Sequence, residues 1–458
     1  MNNLPTRQHK ERTNMTNTLS KLLFTFGFVL LSWPALAETS AALKKSVQKD
    51  YDEHLGILFD HFHRNPELSM MEFETAKRLA QELRASGFDV TEGVGGTGIV
   101  AIMKNGPGPL VMMRADMDGL PVQEKSGLEN ASTARQTDWN GNEVFVMHAC
   151  GHDVHITSLV GTARHMADNR DSWSGTLMLI GQPAEERVAG ARSMMEDDLW
   201  LRFGKPDYAL AFHVSSAIPT GKIGVTPGSP YSGADTVDII IHGVGAHGAS
   251  PHAGVDPVVL GSQIVLALQT VVSRTLPPRE AGVITVGAFH AGTKHNIISD
   301  RAHLQLTVRN DNLETRKILL DGIKRVATNM GRVAGLPEDK LPEVIVSEEW
   351  VPPTVNDPDL TLELRKVWEE ALGSDVFHQG KRLGMGAEDF PFFTTEPYIP
   401  STYFAIGGTP KAEFDAAAAG GPPVPSHHSP LFKIEPEASV TLGVEATVLA
   451  LKKLLQAK

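Results

Sequence analysis

Four short apolar runs constrain this chain most: GIVAIM at 98–103, LVMMRADMD at 110–118, TLMLIG at 176–181 and YALAFHV at 208–214. Continuous runs of this length are the signature of strands buried on both faces. Helical periodicity lies between them, at 153–167 and 188–199. Apolar strands alternating with helices predict an α/β fold, a mostly parallel sheet with helices on both faces. Upstream, 41–88 reads as helical. There Ser69 to Glu72 form a capping-box pattern ahead of FETAKRLAQELRASGF, and Gly87 closes the helix.

The texture changes near 230. TVDIIIHGVG (236–245) reads as a strand, and Asp256-Pro257 opens a helix with Asp as N-cap and Pro at the first position. Its body, VVLGSQIVLALQTVVSR, is apolar on more than one face. Strands at 283–290 and 301–309 and a helix near 312–333 follow. This β-α-β-β-α run predicts a smaller α+β domain inserted at 228–338, with GLPEDKLP (335–342) as its exit. The larger domain is then split between 38–227 and 339–458, the second part carrying a helix at 357–372, a strand at 399–406 and a helix at 436–457. Residues 411–425, KAEFDAAAAGGPPVP, read as a mobile surface loop.

A chain of 458 residues with 41% apolar and 21% charged residues can bury such cores without disulfide staples. Its net charge of −12, with no run of Lys or Arg, argues against a nucleic-acid partner. Lys21, the apolar stretch LLFTFGFVLLSWPAL (22–36) and the small-x-small site Ala35-Leu36-Ala37 predict a signal peptide over 1–37, started at Met1 or Met15. A membrane anchor is the alternative, but the run is short and Pro34 sits near its end. No other stretch reads as long and apolar enough to span a bilayer. The expectation is an exported protein, periplasmic or secreted, with no stable anchor after cleavage. Removing Arg7, Lys10, Arg12 and Lys21 against Glu11 leaves the mature chain more acidic still. Cys150 is the only cysteine, so no intrachain disulfide exists. A lone thiol in an oxidising compartment is either an inert buried group or a metal ligand.

Three clusters carry candidate chemistry, each at the end of an expected strand. Arg114-Ala115-Asp116-Met117-Asp118-Gly119 offers two carboxylates at i and i+2. His148-Ala149-Cys150-Gly151-His152-Asp153-Val154-His155 places several ligand types within eight residues, around the sole Cys. Thiolate and imidazole are the preferred ligands of zinc and its neighbours. Gly181-Gln182-Pro183-Ala184-Glu185-Glu186 holds adjacent carboxylates, which repel unless a cation is near. One of them can bind metal while its neighbour faces a reacting water. His213 ends the strand YALAFHV, and His427-His428-Ser429-Pro430 lies in a late loop. Taken singly, each of these has a bland reading as a turn, a helix start or a core histidine. Together they fall where parallel sheets gather ligands, beyond the carboxyl ends of the strands.

With these motifs the chain resembles the M20 metallopeptidase/amidohydrolase family. The similarity is greatest to the branch of hippurate hydrolases, N-acyl-amino-acid amidohydrolases and indole-acetyl-amino-acid hydrolases. The matching segments are HRNPELSMMEFET (63–75), RADMDGLP (114–121), MHACGHDVH (147–155), GQPAEERVAGA (181–191), GVGAHGASPHAGVDPV (243–258), KHNIISD (294–300), GMGAEDFPFF (384–393) and HSP (428–430). The resemblance implies a catalytic domain with two divalent metal ions and an inserted lid. The 257–274 helix is apolar on too many sides for a small isolated domain, which adds the expectation of a homodimer through that lid. Zinc is the default metal, with manganese, nickel or cobalt as alternatives. By the same resemblance the metal ligands are Cys150, His152, Glu186, His213 and His428, and the general base is Glu185. Asp118 orients a ligand, and Asp116 replaces a histidine ligand of other branches. In the lid, His247 helps polarise the scissile carbonyl, and Asn296 and Arg309 contact the substrate carboxylate or oxyanion.

The implied reaction is metal-assisted hydrolysis of the amide bond in N-acyl amino acids or short peptides. The alternatives are an exported dipeptidase or carboxypeptidase of the same family, or a metal- or ligand-binding protein without turnover. His427 doubles the final motif, and the ligand is taken as His428 because it directly precedes Ser-Pro. The 128–146 and 411–425 stretches are longer than the family needs and bear on substrate access.

Overall fold

The computed structural model describes residues 33–456 except 381 and 383. The expected leader therefore lies, up to residue 32, outside the described residues. At the centre is a seven-stranded sheet. Its order is Asp89–Val94, Gly98–Asn105, Gly175–Gln182, Leu110–Asp116, Tyr208–Pro219, Ser401–Thr409 and Ile223–Gly224. The middle four strands run parallel, and the flanking pairings are antiparallel.

Side chains leave alternate faces of these strands, and the two cores follow that period. Val111, Met113, Leu177, Leu179, Leu210 and Phe212 enter one core, together with Val154, Leu364, Trp368 and Leu451 from the covering helices. Met112, Met178, Ile180, Ala209 and Ala211 enter the other, against Met194, Leu199 and Phe393. Both faces are thus dry, which is why the strands read as unbroken apolar runs.

The smaller unit is a four-stranded antiparallel sheet in the order Gly282–Ala291, Arg301–Asn310, Gly233–His242 and Glu343–Val351. Helices Pro257–Thr270 and Leu313–Val333 cover it, burying Ile264, Leu268, Leu319 and Ile323 against Val237, Ile239, Leu304 and Leu306. Asp256 caps the first helix as expected, accepting hydrogen bonds from the Val258 and Val259 amides. The sheet takes in the strand Glu343–Val351, so this unit extends past the boundary expected at 338. GLPEDKLP is not an exit but the turn that returns the chain to the sheet. The chain crosses between the two units at Gly228–Tyr231 and Thr354–Asn356, and these two short strands pair with each other.

Other local expectations are corrected. The capping box does not form, because tertiary partners take both of its side chains. Ser69 Oγ donates to Asp118, and the Glu72 carboxylate accepts from the Met70 and Ala184 amides. Glu67 caps the helix Phe73–Ala85 instead, through the Glu74 and Thr75 amides. The stretch 188–199 is broken into Gly190–Glu196 and Leu199–Phe203 by Asp198, whose φ is +56°. Lys411–Ala418, expected as loop, is helical, in line with its run of alanines. Residues 257–275 are also long and apolar enough to cross a membrane, although here they pack on the smaller sheet.

Candidate metal centre

The site is built where the parallel strands end. Leu110–Asp116 delivers Asp116 and then Asp118, Gly175–Gln182 runs on to Glu185 and Glu186, and Tyr208–Pro219 carries His213. Between Cys150 and His152, Gly151 adopts φ +86°, and a Cβ there would meet Val214 Cγ1 at 2.4 Å. Only glycine lets the chain turn this sharply against the strand, so that Cys150 points into the site as the helix His152–Asp168 begins.

Five side chains converge. Cys150 Sγ lies 3.4 Å from His213 Nε2, and His428 Nε2 lies 3.3 Å from Glu186 Oε2. His152 Nε2 stands 3.9 Å from Glu186 Oε1, 4.0 Å from Glu185 Oε2 and 3.6 Å from Asp116 Oδ2. Two triads, Cys150/His152/His213 and Cys150/Glu186/His428, each have their ligand atoms within 4.8 Å of one another and share the sulfur. Ligands at about 2.1 Å from a tetrahedral ion sit roughly 3.4 Å apart, so these spacings suit a common cation.

Hydrogen bonding fixes which ring nitrogen is left over. His152 Nδ1 donates to the Asp118 carbonyl at 2.8 Å and approaches Asp118 Oδ1 at 3.2 Å. Its Nε2 is buried and without a hydrogen-bond partner, as is Glu186 Oε1. His213 Nδ1 donates to the Val214 carbonyl at 2.6 Å, which leaves Nε2 facing the sulfur. Buried polar atoms are nearly always partnered. Orphan lone pairs aimed at one point are what a bound cation explains, and the residues fit divalent ions. His155 is different: Nδ1 holds Asp116 Oδ1 and Nε2 accepts from the Val214 amide, so neither nitrogen is free. His427 accepts from the Ser216 amide through Nε2 and turns Nδ1 to Cys150 Sγ at 3.6 Å. It braces the Cys150 sulfur, while the exposed His428 reaches Glu186.

Acidity in the cluster is collective. Burial, then Glu388, Glu186 and Asp389, push the Glu185 carboxyl well above the ordinary carboxylate range. Burial, then Glu186 and Glu185, push the Cys150 thiol up likewise. Such groups retain protons until a cation displaces them.

Asp118 is the brace. Beyond holding His152, its Oδ2 accepts from Ser69 Oγ at 2.6 Å and from the Glu186 amide at 3.0 Å. Arg114 lies beneath the site, fully buried, and donates to Gln182, Asp116 and Glu388 at 2.6–2.7 Å and to Asp389 at 3.3 Å. The sequence alone assigns no role to Arg114, Glu388 or Asp389, although RADMDGLP and GMGAEDFPFF contain them. Their partnership spans 274 positions and has no local signal.

The lid residues are placed elsewhere. His247 lies opposite Ile297 in a two-stranded pairing, and the Gly248 amide donates to the Asn296 carbonyl. His247 and Asn296 are therefore neighbours, and both are exposed. Arg309 is half-buried on Arg301–Asn310, between Ala234 and Val283. Among the described residues, no hydrogen bond or ion pair joins these three to the metal-ligand cluster.

Comparison with known proteins agrees with this chemistry. Residues 112–420 match peptidase family M20/M25/M40. A thermostable carboxypeptidase of Saccharolobus solfataricus is 37% identical over 369 residues, covering 80% of this chain and 88% of that protein. Hippurate hydrolase of Campylobacter jejuni is 35% identical over 332 residues, covering 72% and 82%. The crystal structure of Bacillus subtilis YXEP, described as a dinuclear metal binding peptidase, superposes with a TM-score of 0.72 at 27% identity, covering 90% of this chain and 99% of that one. With a buried thiolate–imidazole–carboxylate cluster at the ends of its parallel strands, the chain belongs to the M20/M25/M40 peptidase family and is a metal-dependent amidohydrolase or peptidase.

Proposed function

We propose that this enzyme hydrolyses the amide bond of N-acyl amino acids, hippurate-like or indole-acyl conjugates, with Glu185 as general base. Cys150, His152, Glu186, His213 and His428 would hold two divalent ions, zinc by default. Ions held there would lower the pKa of a bound water toward about 7. Glu185 takes a proton from the attacking water as the carbon–oxygen bond forms. It delivers that proton to the leaving nitrogen as the carbon–nitrogen bond breaks. Asp118 keeps His152 in the tautomer that bares Nε2. His247 and Asn296 stabilise the oxyanion when the lid closes over the cleft.

The observation that carries the substrate class is Arg309. It is half-buried, its acidity is shifted by that burial, and among the described residues it has no ion-pair partner. A half-buried guanidinium without an ion-pair partner suits a bidentate carboxylate on the leaving amino acid. The hippurate hydrolase relative favours an N-acyl substrate. The carboxypeptidase relative favours the second reading, a peptidase that removes a terminal residue. A panel of hippurate, N-acetyl amino acids, indole conjugates and unblocked dipeptides separates the two. The expected result is turnover of the acylated compounds, and turnover of unblocked dipeptides alone overturns the substrate assignment.

Export to the periplasm or medium, and a homodimer through the lid, belong to the same proposal. The helix Pro257–Thr270 leaves Val258, Val259 and Leu266 exposed, and the edge strand Gly282–Ala291 leaves Phe289 exposed. An apolar face of this kind beside a free sheet edge favours a self-complementary partner. Light scattering is expected to give twice the chain mass, and a single-chain mass removes the dimer.

A further inference from the structure

We infer that Glu72 is a positioning residue for Glu185: its buried carboxylate pins the strained turn that aims the base, an inference that rests on Glu185 being that base. The side chain of Glu72 is fully buried. Its Oε1 accepts from the Ala184 amide at 2.8 Å and from the Met70 amide at 2.9 Å, and its Oε2 accepts from Thr97 Oγ1 at 2.5 Å. Among the described residues it has no cationic partner. A carboxylate buried without a cation is costly to keep unless its hydrogen bonds matter.

Those bonds do not serve its own helix. Glu72 sits at the N-cap of Phe73–Ala85, yet its side chain makes no capping bond, and Glu67 does that work. Both amides that Glu72 holds belong instead to residues in the left-handed region, Met70 at φ +62° and Ala184 at φ +48°. Non-glycine residues occupy that region at a cost and stay there only when their surroundings impose it. Ala184 directly precedes Glu185. Val188, also left-handed at φ +55°, closes the turn with its amide on the Glu185 carbonyl at 2.7 Å.

The Met70 side of the pin reaches the site as well. Ser69 Oγ holds the same Asp118 oxygen that accepts from the Glu186 amide. One carboxylate therefore fixes two strained segments against each other, and Glu185 and Glu186 follow from their geometry. Displacing the base by about 1 Å is worth up to 10²-fold in rate.

The test compares Glu72→Gln, Glu72→Asp and Glu72→Ala with the wild type. Gln keeps Oε1 for both amides, and its amide nitrogen can donate to Thr97 Oγ1. Asp is one methylene too short to hold both. For Glu72→Asp, assayed with the metal sites saturated, we expect kcat to fall about 10- to 100-fold at unchanged KM. Glu72→Gln is expected to stay within about threefold of the wild type, because it keeps those bonds. Glu72→Ala should behave as Asp does, and if it does not fold the Asp variant decides. Hydrogen–deuterium exchange of the 183–188 segment in metal-free protein gives a readout apart from turnover. It should quicken in Glu72→Asp and stay slow in Glu72→Gln. Unchanged exchange in Glu72→Asp overturns the inference, and so does faster exchange with kcat within twofold of the wild type. If the wild type cleaves nothing in the substrate panel, the proposed function falls while the exchange measurement still decides the pin.

Discussion

Glu185→Gln is expected to lower kcat on the best N-acyl amino acid by about 10² to 10⁴-fold, with bound metal retained. The two carboxylates of the turn are divided by what they face. Glu186 Oε2 meets His428 at 3.3 Å, and its Oε1 is an orphan beside His152. Glu185 also reaches His152, at 4.0 Å, but its other neighbours are the acids Glu388 and Asp389. On the proposed roles, removing Glu186 would strip a ligand, whereas neutralising Glu185 would remove a proton carrier and leave the ligand set intact. Gln is isosteric and keeps the turn. The measurement pairs steady-state kinetics with elemental analysis of the purified variant. Wild-type turnover in Glu185→Gln would end its role as base. Loss of half the metal would show that Glu185 is a ligand and that the pair had been divided wrongly.

How much of this was legible in the sequence follows from how local each signal is. The strands were legible because two dry faces leave unbroken apolar runs, and Asp256-Pro257 was legible because a cap and its helix are adjacent. Cys150 stands out as the sole cysteine, and His152, Glu186, His213 and His428 through their clusters or the family motif. The structure brings all five together. The role of Glu72 is hidden because its pattern with Ser69 is a local one that distant partners override. Arg114 was passed over because its meaning lies in Glu388 and Asp389, which no short window contains. The inserted unit was drawn too short because Glu343–Val351 is exposed along much of its length and lacks an apolar run. His247, Asn296 and Arg309 rest on motif similarity, and their service to the reaction depends on lid closure or on a second subunit.

Replacing Arg114 with Met is expected to cost more stability than any surface change, about 3–5 kcal/mol in urea denaturation. Arg114 is wholly buried between Asp116, Glu388 and Asp389, and with Gln182 and the Tyr403 hydroxyl it uses its donors on five partners. Its removal leaves those acids facing one another without a cation. Gln182 still donates to Asp389, Tyr403 to Glu388, and the Ala191 amide to Asp389. Those bonds satisfy oxygens but do not cancel charge. Lys cannot substitute, because one ammonium does not span the fork that reaches Gln182 and Glu388 together. Adding Glu388→Gln to Arg114→Met should recover part of the loss, since a neutral amide no longer needs the cation, and a double-mutant cycle measures that coupling. An Arg114→Met variant as stable as the wild type would mean that the acids are already protonated in the folded protein. The guanidinium would then be filling space rather than balancing charge.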